Sequence, residues 1–167
     1  MTAAITAHRH DDTRTVVIQR AFAAPIDLVF RAHSEPAHLR RWFGPPGYPL
    51  TRCDVDFRVG GRFTFAMTGP DGTQNPPFGG TYLEIERPSR IVYNNGFLVD
   101  GADPQPEQQM RVTIDLVADG AHTRLTMTTV FGSPAMYAEH TSQGFIEGTS
   151  AGIEQLADLL ADVQVQA

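Results

Sequence analysis

The chain has 167 residues, enough for one domain with a substantial core, and 13 Lys plus Arg against 19 Asp plus Glu give a formal net charge of -6. That acidic balance favours solubility and argues against a nucleic-acid backbone as partner. Cys53 is the single cysteine, so no internal disulfide forms, and no apolar leader or membrane-length apolar run interrupts the sequence; a cytoplasmic protein with no membrane partner is expected.

Residues 1–13 read as a flexible N-terminal arm and 14–163 as a single domain. His8, His10, Asp11 and Asp12 are metal-binding residue types, but nothing rigid holds them there, and no metal is expected. Thr15 to Phe22 alternates as a strand, with Val16, Ile18 and Phe22 on one side and Arg20 as the polar exception. The period then changes. Pro25 opens a short helix carrying Ile26, Val29 and Phe30, and Ser34-Glu35-Pro36 opens a second carrying Leu39, Trp42 and Phe43. Neither helix is long enough to stand alone, so both need a sheet to cover. His33 and His38 lack zinc-helix spacing, and Arg40-Arg41 is too small a cluster for a phosphate site.

After the rigid GPPGYP loop, Gly44 to Pro49, strand follows strand. Cys53, Val55 and Phe57 alternate with Arg52, Asp54 and Asp56, and beyond Gly60-Gly61 the segment RFTFAM puts Phe63, Phe65 and Met67 on one side, which predicts a hairpin. GGTYLEIE places Leu83 and Ile85 opposite Tyr82, Glu84 and Glu86; RIVYNNGF places Ile91, Tyr93 and Phe97 opposite Val92 and Asn94. Met110, Val112, Ile114 and Leu116 form the next apolar row, and Leu125, Met127 and Phe131 the last. Each strand has one wetter face, the pattern of an antiparallel sheet covered on one side.

Ser133 to Val163 reads as the covering helix, with Ser133 as cap and Pro134 in the first turn. Phe145, Ile146, Ile153, Leu156, Leu159, Leu160 and Val163 share one side, while Glu147, Glu154, Gln155, Asp158 and Asp162 share the other. Gly144, Gly148 and Gly152 form a narrow track beside the apolar side. Such a track permits close packing against the sheet or leaves room for a ligand. The expected fold is therefore α+β, a helix-grip fold in which a curved antiparallel sheet wraps around a long C-terminal helix.

A bent sheet diverges from the helix above it and leaves a volume between them. Its candidate lining is Trp42, Phe43, Phe65, Met67, Tyr82, Tyr93, Met110, Met127 and Phe145, with Gly148 giving space under the helix. These residue types serve equally as core filling or as a pocket wall. No catalytic set emerges. Asp54, Asp56, Glu84 and Glu86 lie on polar strand faces, although a bulge turning Glu84 inward beside Tyr82 would pair an acid with a base. Cys53 has no identifiable base, and Gly60-Gly61 lacks the context of a dinucleotide or phosphate loop, so no cofactor is expected.

The motifs RAFAAPIDLVFRAHSEPAHLRRWFGPPG, CDVDFRVGGRFTFAM, GGTYLEIERPSRIVY, LTMTTVFGS and QGFIEGTSAGIEQLADLL, in that order, resemble the START-like (SRPBCC) superfamily. The nearer resemblance is to its bacterial branch related to the C-terminal domain of the activator of Hsp90 ATPase. Pro25, Trp42, Phe43, Gly44, Pro45, Gly60, Gly61, Tyr82 and the Gly144 region fall at that branch's signature positions, with Trp42-Phe43 where members often carry two tryptophans. The resemblance implies a hydrophobic cavity like that of lipid carriers and cyclases; it carries over neither Hsp90 activation nor a catalytic set. The expected function is noncatalytic binding of a small apolar or amphipathic molecule. A cyclase-like or hydrolytic enzyme and a protein-interaction or stress-associated module are the alternatives, and a homodimer is left open.

Overall fold

The computed structural model describes residues 4–166. Eight antiparallel strands form one open sheet in the order β1-β2-β8-β7-β6-β5-β4-β3. Their ranges are β1 Thr6–His10, β2 Thr15–Phe22, β3 Leu50–Val55, β4 Arg62–Met67, β5 Phe78–Glu86, β6 Arg90–Phe97, β7 Met110–Asp119 and β8 His122–Phe131. From β3 to β8 each strand pairs with its successor, and β2 then pairs with β8. The chain must therefore cross from one side of the sheet to its far edge between β2 and β3.

Two short helices make that crossing, α1 Ile26–Ser34 and α2 Pro36–Trp42. Pro36 explains the break. It forces Glu35 into an extended conformation, φ -94° and ψ 125°, which ends α1, and its own missing N–H costs nothing in the first turn of α2. Val29, Phe30, Leu39 and Trp42 are buried, so the pair closes one end of the grip. Trp42 donates its indole N–H to the Ala32 carbonyl at 2.8 Å, fastening α2 to α1.

Residues 6–10 depart from the expected loose arm. They form β1, paired with β2 from Thr6↔Gln19 to His10↔Thr15, although all five side chains are exposed. With no apolar face to bury, alternation gave no strand signal; backbone pairing and a tie to another helix order the segment. Tyr137 donates to Asp11 at 2.5 Å, and the Arg9 guanidinium lies 3.3 Å from the same phenolic oxygen.

The covering segment is two helices, α3 Pro134–Ser142 and α4 Phe145–Gln166, rather than one. Ser133 caps α3 as expected, accepting from the Met136 N–H at 3.1 Å. Gly144 breaks the continuity by taking φ +91°, a left-handed value that glycine adopts without a Cβ clash. α4 buries Ile153, Leu156, Leu159 and Leu160 on the sheet side. Two polar ties fix its angle. Buried Arg20, the polar exception of β2, donates to Glu154 at 2.9 Å and 3.3 Å. Gln155, expected on the solvent side, turns inward and donates to the carbonyls of Trp42 at 3.0 Å and Gly44 at 2.6 Å.

One strand alternates out of step with its sequence. Pairing of β5 with β6 shifts between Tyr82 and Glu84, a bulge that buries Tyr82 and leaves Leu83 40% exposed. Ile85 returns to partial burial beyond it. Phe97, expected on the inner row of β6, is 58% exposed where the strand leaves the sheet's covered region.

Candidate functional site

A cavity of about 400 Å³ lies between the sheet and the first half of α4. Its floor is Met67 of β4, Phe78 of β5, Tyr93 and Asn95 of β6, Met110 and Val112 of β7, and Met127 and Thr129 of β8. Trp42, Phe43, Gly44 and Pro45 close one side. Met136 and His140 of α3, then Gly144, Phe145, Gly148, Thr149, Gly152 and Ile153, form the roof. Phe97, largely exposed, marks the mouth.

Of the sequence candidates, Trp42, Phe43, Met67, Tyr93, Met110, Met127, Phe145 and Gly148 line this space. Phe65 and Tyr82 do not. They line a gap of about 20 Å³ beneath α2 with His33, Phe63 and Ile114, which adjoins the cavity through Trp42, Phe43, Tyr93 and Met127 but is too small for a ligand. Tyr82 is enclosed there by Phe57 and Phe63, with ring centroids at 5.0 and 5.3 Å. Burial pushes the phenols of Tyr82 and Tyr93 upward, so both stay protonated across ordinary pH.

The glycine track resolves into separate jobs. Gly144 makes the turn between α3 and α4. A Cβ on Gly148 would meet nothing within 4 Å, so its missing side chain is cavity space. A Cβ on Gly152 would stand 3.4 Å from the Gly44 carbonyl, so that glycine serves close packing against the GPPG loop.

Sequence reasoning missed Phe78, Asn95, Thr129, Met136 and His140. One signal was available: every methionine after Met1, namely Met67, Met110, Met127 and Met136, lines the cavity. A flexible thioether suits a surface that must be apolar without filling its own gap. His140 and Met136 are four residues apart on a helix and so share a face.

The enzyme clues do not converge. The pairing does shift beside Glu84, but Glu84 remains 42% exposed by side chain, 3.8 Å from Arg90. Cys53 is buried on β3, and burial raises its thiol above the ordinary range. Among the described residues no three His, Cys, Asp or Glu side chains gather as a metal set, and no helix is long and apolar enough to cross a membrane.

A curved antiparallel sheet holding a C-terminal helix over an apolar cavity is the helix-grip architecture of the START-like (SRPBCC) class. Within it, residues 23–161 match the family described as Activator of Hsp90 ATPase homolog 1-like protein, and the chain belongs to that family. Solved structures agree. A protein from Nitrosomonas europaea is 30% identical, with a TM-score of 0.81 over 90% of this chain and 96% of its own. One from Mycobacterium smegmatis is 29% identical at a TM-score of 0.81, covering 94% and 97%. A solution structure from Arthrobacter aurescens reaches 0.86 at 28% identity, covering 94% and 91%. Among curated proteins none matches the chain.

Proposed function

We propose that this protein reversibly binds a small apolar or amphipathic molecule between its sheet and α4, and releases it unchanged. Fold and family are those of a ligand-binding module in general. The observation that carries the finer reading is the open volume under Gly148: helix, sheet and loop all approach it, yet no side chain occupies it. A cavity of about 400 Å³ lies in the range of small-molecule sites. Its walls of Phe43, Phe78, Phe145 and the methionines offer dispersion contact and little else to a ligand.

The test is titration of purified, delipidated protein with a hydrophobic fluorophore, followed by recovery and mass spectrometry of the bound material. Gly148→Leu should fill the roof and weaken binding at least about tenfold, with the urea midpoint within about 1 kcal/mol of wild type. Unchanged binding in that folded variant would remove the cavity from the account. Recovery of chemically altered ligand, growing with protein and time, would replace the carrier with an enzyme.

A further inference from the structure

The two helices that roof the cavity are anchored very differently. α3 contributes Met136 and His140 to the roof, yet Tyr137 is its only buried residue. α4, by contrast, buries Ile153, Leu156, Leu159 and Leu160. A helix with so little apolar anchorage opens readily unless something else holds it. The Tyr137 ring packs edge-on against Phe131 at the end of β8, with centroids 5.7 Å apart, and the remaining hold is polar.

That hold comes from the N-terminal segment. The Tyr137 hydroxyl donates to Asp11 Oδ1 at 2.5 Å and accepts from Arg9 Nε at 3.3 Å, and Arg9 Nη2 lies 3.3 Å from the same carboxylate oxygen. The Arg9 guanidinium also stands over the Tyr137 ring, 5.5 Å from its centroid. The backbone is shaped to bring these groups together. Asp11 lies in a single 3-10 turn, Asp11–Thr13, closed by Arg14 at φ +54°, a left-handed value that residues with a Cβ rarely take. Arg14 is fixed in turn to the strand end from which α3 departs: its Nε donates to the Phe131 carbonyl at 3.0 Å, and its own carbonyl accepts from the Phe131 N–H at 2.9 Å. β1 buries no side chain and adds nothing to the core; what it delivers is Arg9 and Asp11 to Tyr137.

Resting on the binding function above, we propose that β1 and the turn after it latch α3 over the cavity, and that the ligand enters and leaves as α3 lifts with the Tyr137–Asp11–Arg9 contacts broken. Gly144, at φ +91° between α3 and α4, supplies the joint about which the shorter helix moves. Lifting α3 withdraws Met136 and His140 from the roof and leaves the leucine-packed half of α4 in place.

The experiment pairs Tyr137→Phe, which keeps the ring on Phe131 and removes the hydroxyl, with Asp11→Ala, which removes the acceptor from an exposed position. Two quantities are measured on the full chain: amide hydrogen exchange along α3, and the rate at which bound Nile red, a neutral fluorophore, is released in stopped-flow dilution. Both variants should exchange the α3 amides and release the fluorophore at least about threefold faster than wild type, with exchange along α4 unchanged. His8→Ala, exposed on β1 and outside the latch, should change neither. Faster α3 exchange with an unchanged release rate would overturn the proposal, since passage would then run through the opening beside Phe97, and the binding function would stand. Unchanged α3 exchange in both variants would overturn it as well, because the three groups would then hold nothing. Release that quickens equally in His8→Ala would assign the effect to strand pairing and sink the latch. If wild type binds no Nile red, the binding function falls at that first titration, before any variant is compared, and passage under α3 falls with it.

Discussion

The two halves of α4 lie over the same sheet and leave opposite results beneath them. Under the second half, Leu156, Leu159 and Leu160 are buried in one core cluster with Ile18, Phe22, Phe30, Ile114 and Leu125, and that end is filled. Under the first half, Gly148, Thr149 and Gly152 interrupt the larger Phe145 and Ile153 opposite Met67, Met110 and Met127, and that end keeps a cavity. The sheet rows are similarly apolar at both ends. What decides between core and cavity is the size of the residues on the helix opposite, so a strand residue's role cannot be assigned from its strand alone.

Leucine and methionine truncations test the contrast most directly. Leu156 is fully buried in the filled end, and Leu156→Ala should cost about 2 to 5 kcal/mol, the transfer loss plus a new void. Met127→Ala enlarges a space that already exists, removes fewer contacts, and should cost less than about half as much. Urea midpoints measure both. Equal costs would mean that the hollow end is packed in solution, and the contrast would fail.

His33 probes the dryness of the filled end. Its Nδ1–H donates to the Val29 carbonyl at 2.9 Å, its ring meets Trp42 edge-on at 5.2 Å, and burial lowers its pKa to about 4 although the backbone hydrogen bond pulls the other way. Because the folded value lies below the ordinary 6.5, the unfolded chain takes up a proton that the folded chain refuses. Stability should therefore fall as pH drops from about 6.5 towards 4 and level off below, by on the order of 3 kcal/mol from this group. His33→Leu should remove that component from urea midpoints measured at several pH values between these limits. A wild type and variant with parallel pH profiles would show that water reaches the ring.

The fold was legible because it repeats. Seven of the eight strands, β2 to β8, announce themselves by alternation, and the end helices by proline and a change of period. β1 was invisible because none of its side chains is buried. The break at Gly144 went unmarked because the apolar spacing begins only at Phe145 and a periodic pattern does not report a single left-handed residue. The site was half legible. Trp42, Phe43 and the strand methionines could be assigned by type and row, whereas Phe65 and Tyr82 line the small adjoining gap, because a row says which face a residue takes and not which end of it is filled. Asn95 and His140 needed the three-dimensional structure, since only packing shows which polar residues reach the cavity wall.

The smallest effects separate the glycines of the track, and with them the reasons the hollow exists. In a helix interior glycine is disfavoured against alanine by roughly 1 kcal/mol, so a glycine that serves no packing purpose is a loss that alanine recovers. Gly148 faces open space, and Gly148→Ala should stabilise the protein by about 0.5 to 1 kcal/mol. Gly152 already sits at contact distance, its Cβ position 3.4 Å from the Gly44 carbonyl, so the same helical gain is opposed by crowding and Gly152→Ala should fall within about 0.5 kcal/mol of wild type. At Gly144, where φ is +91°, Gly144→Ala should instead destabilise by about 1 kcal/mol. Denaturant midpoints resolve the three in one series. If Gly148→Ala destabilised as Gly144→Ala does, some group would have to occupy the space beneath it, and the hollow half of the grip would be no more open than the half that Leu156 fills.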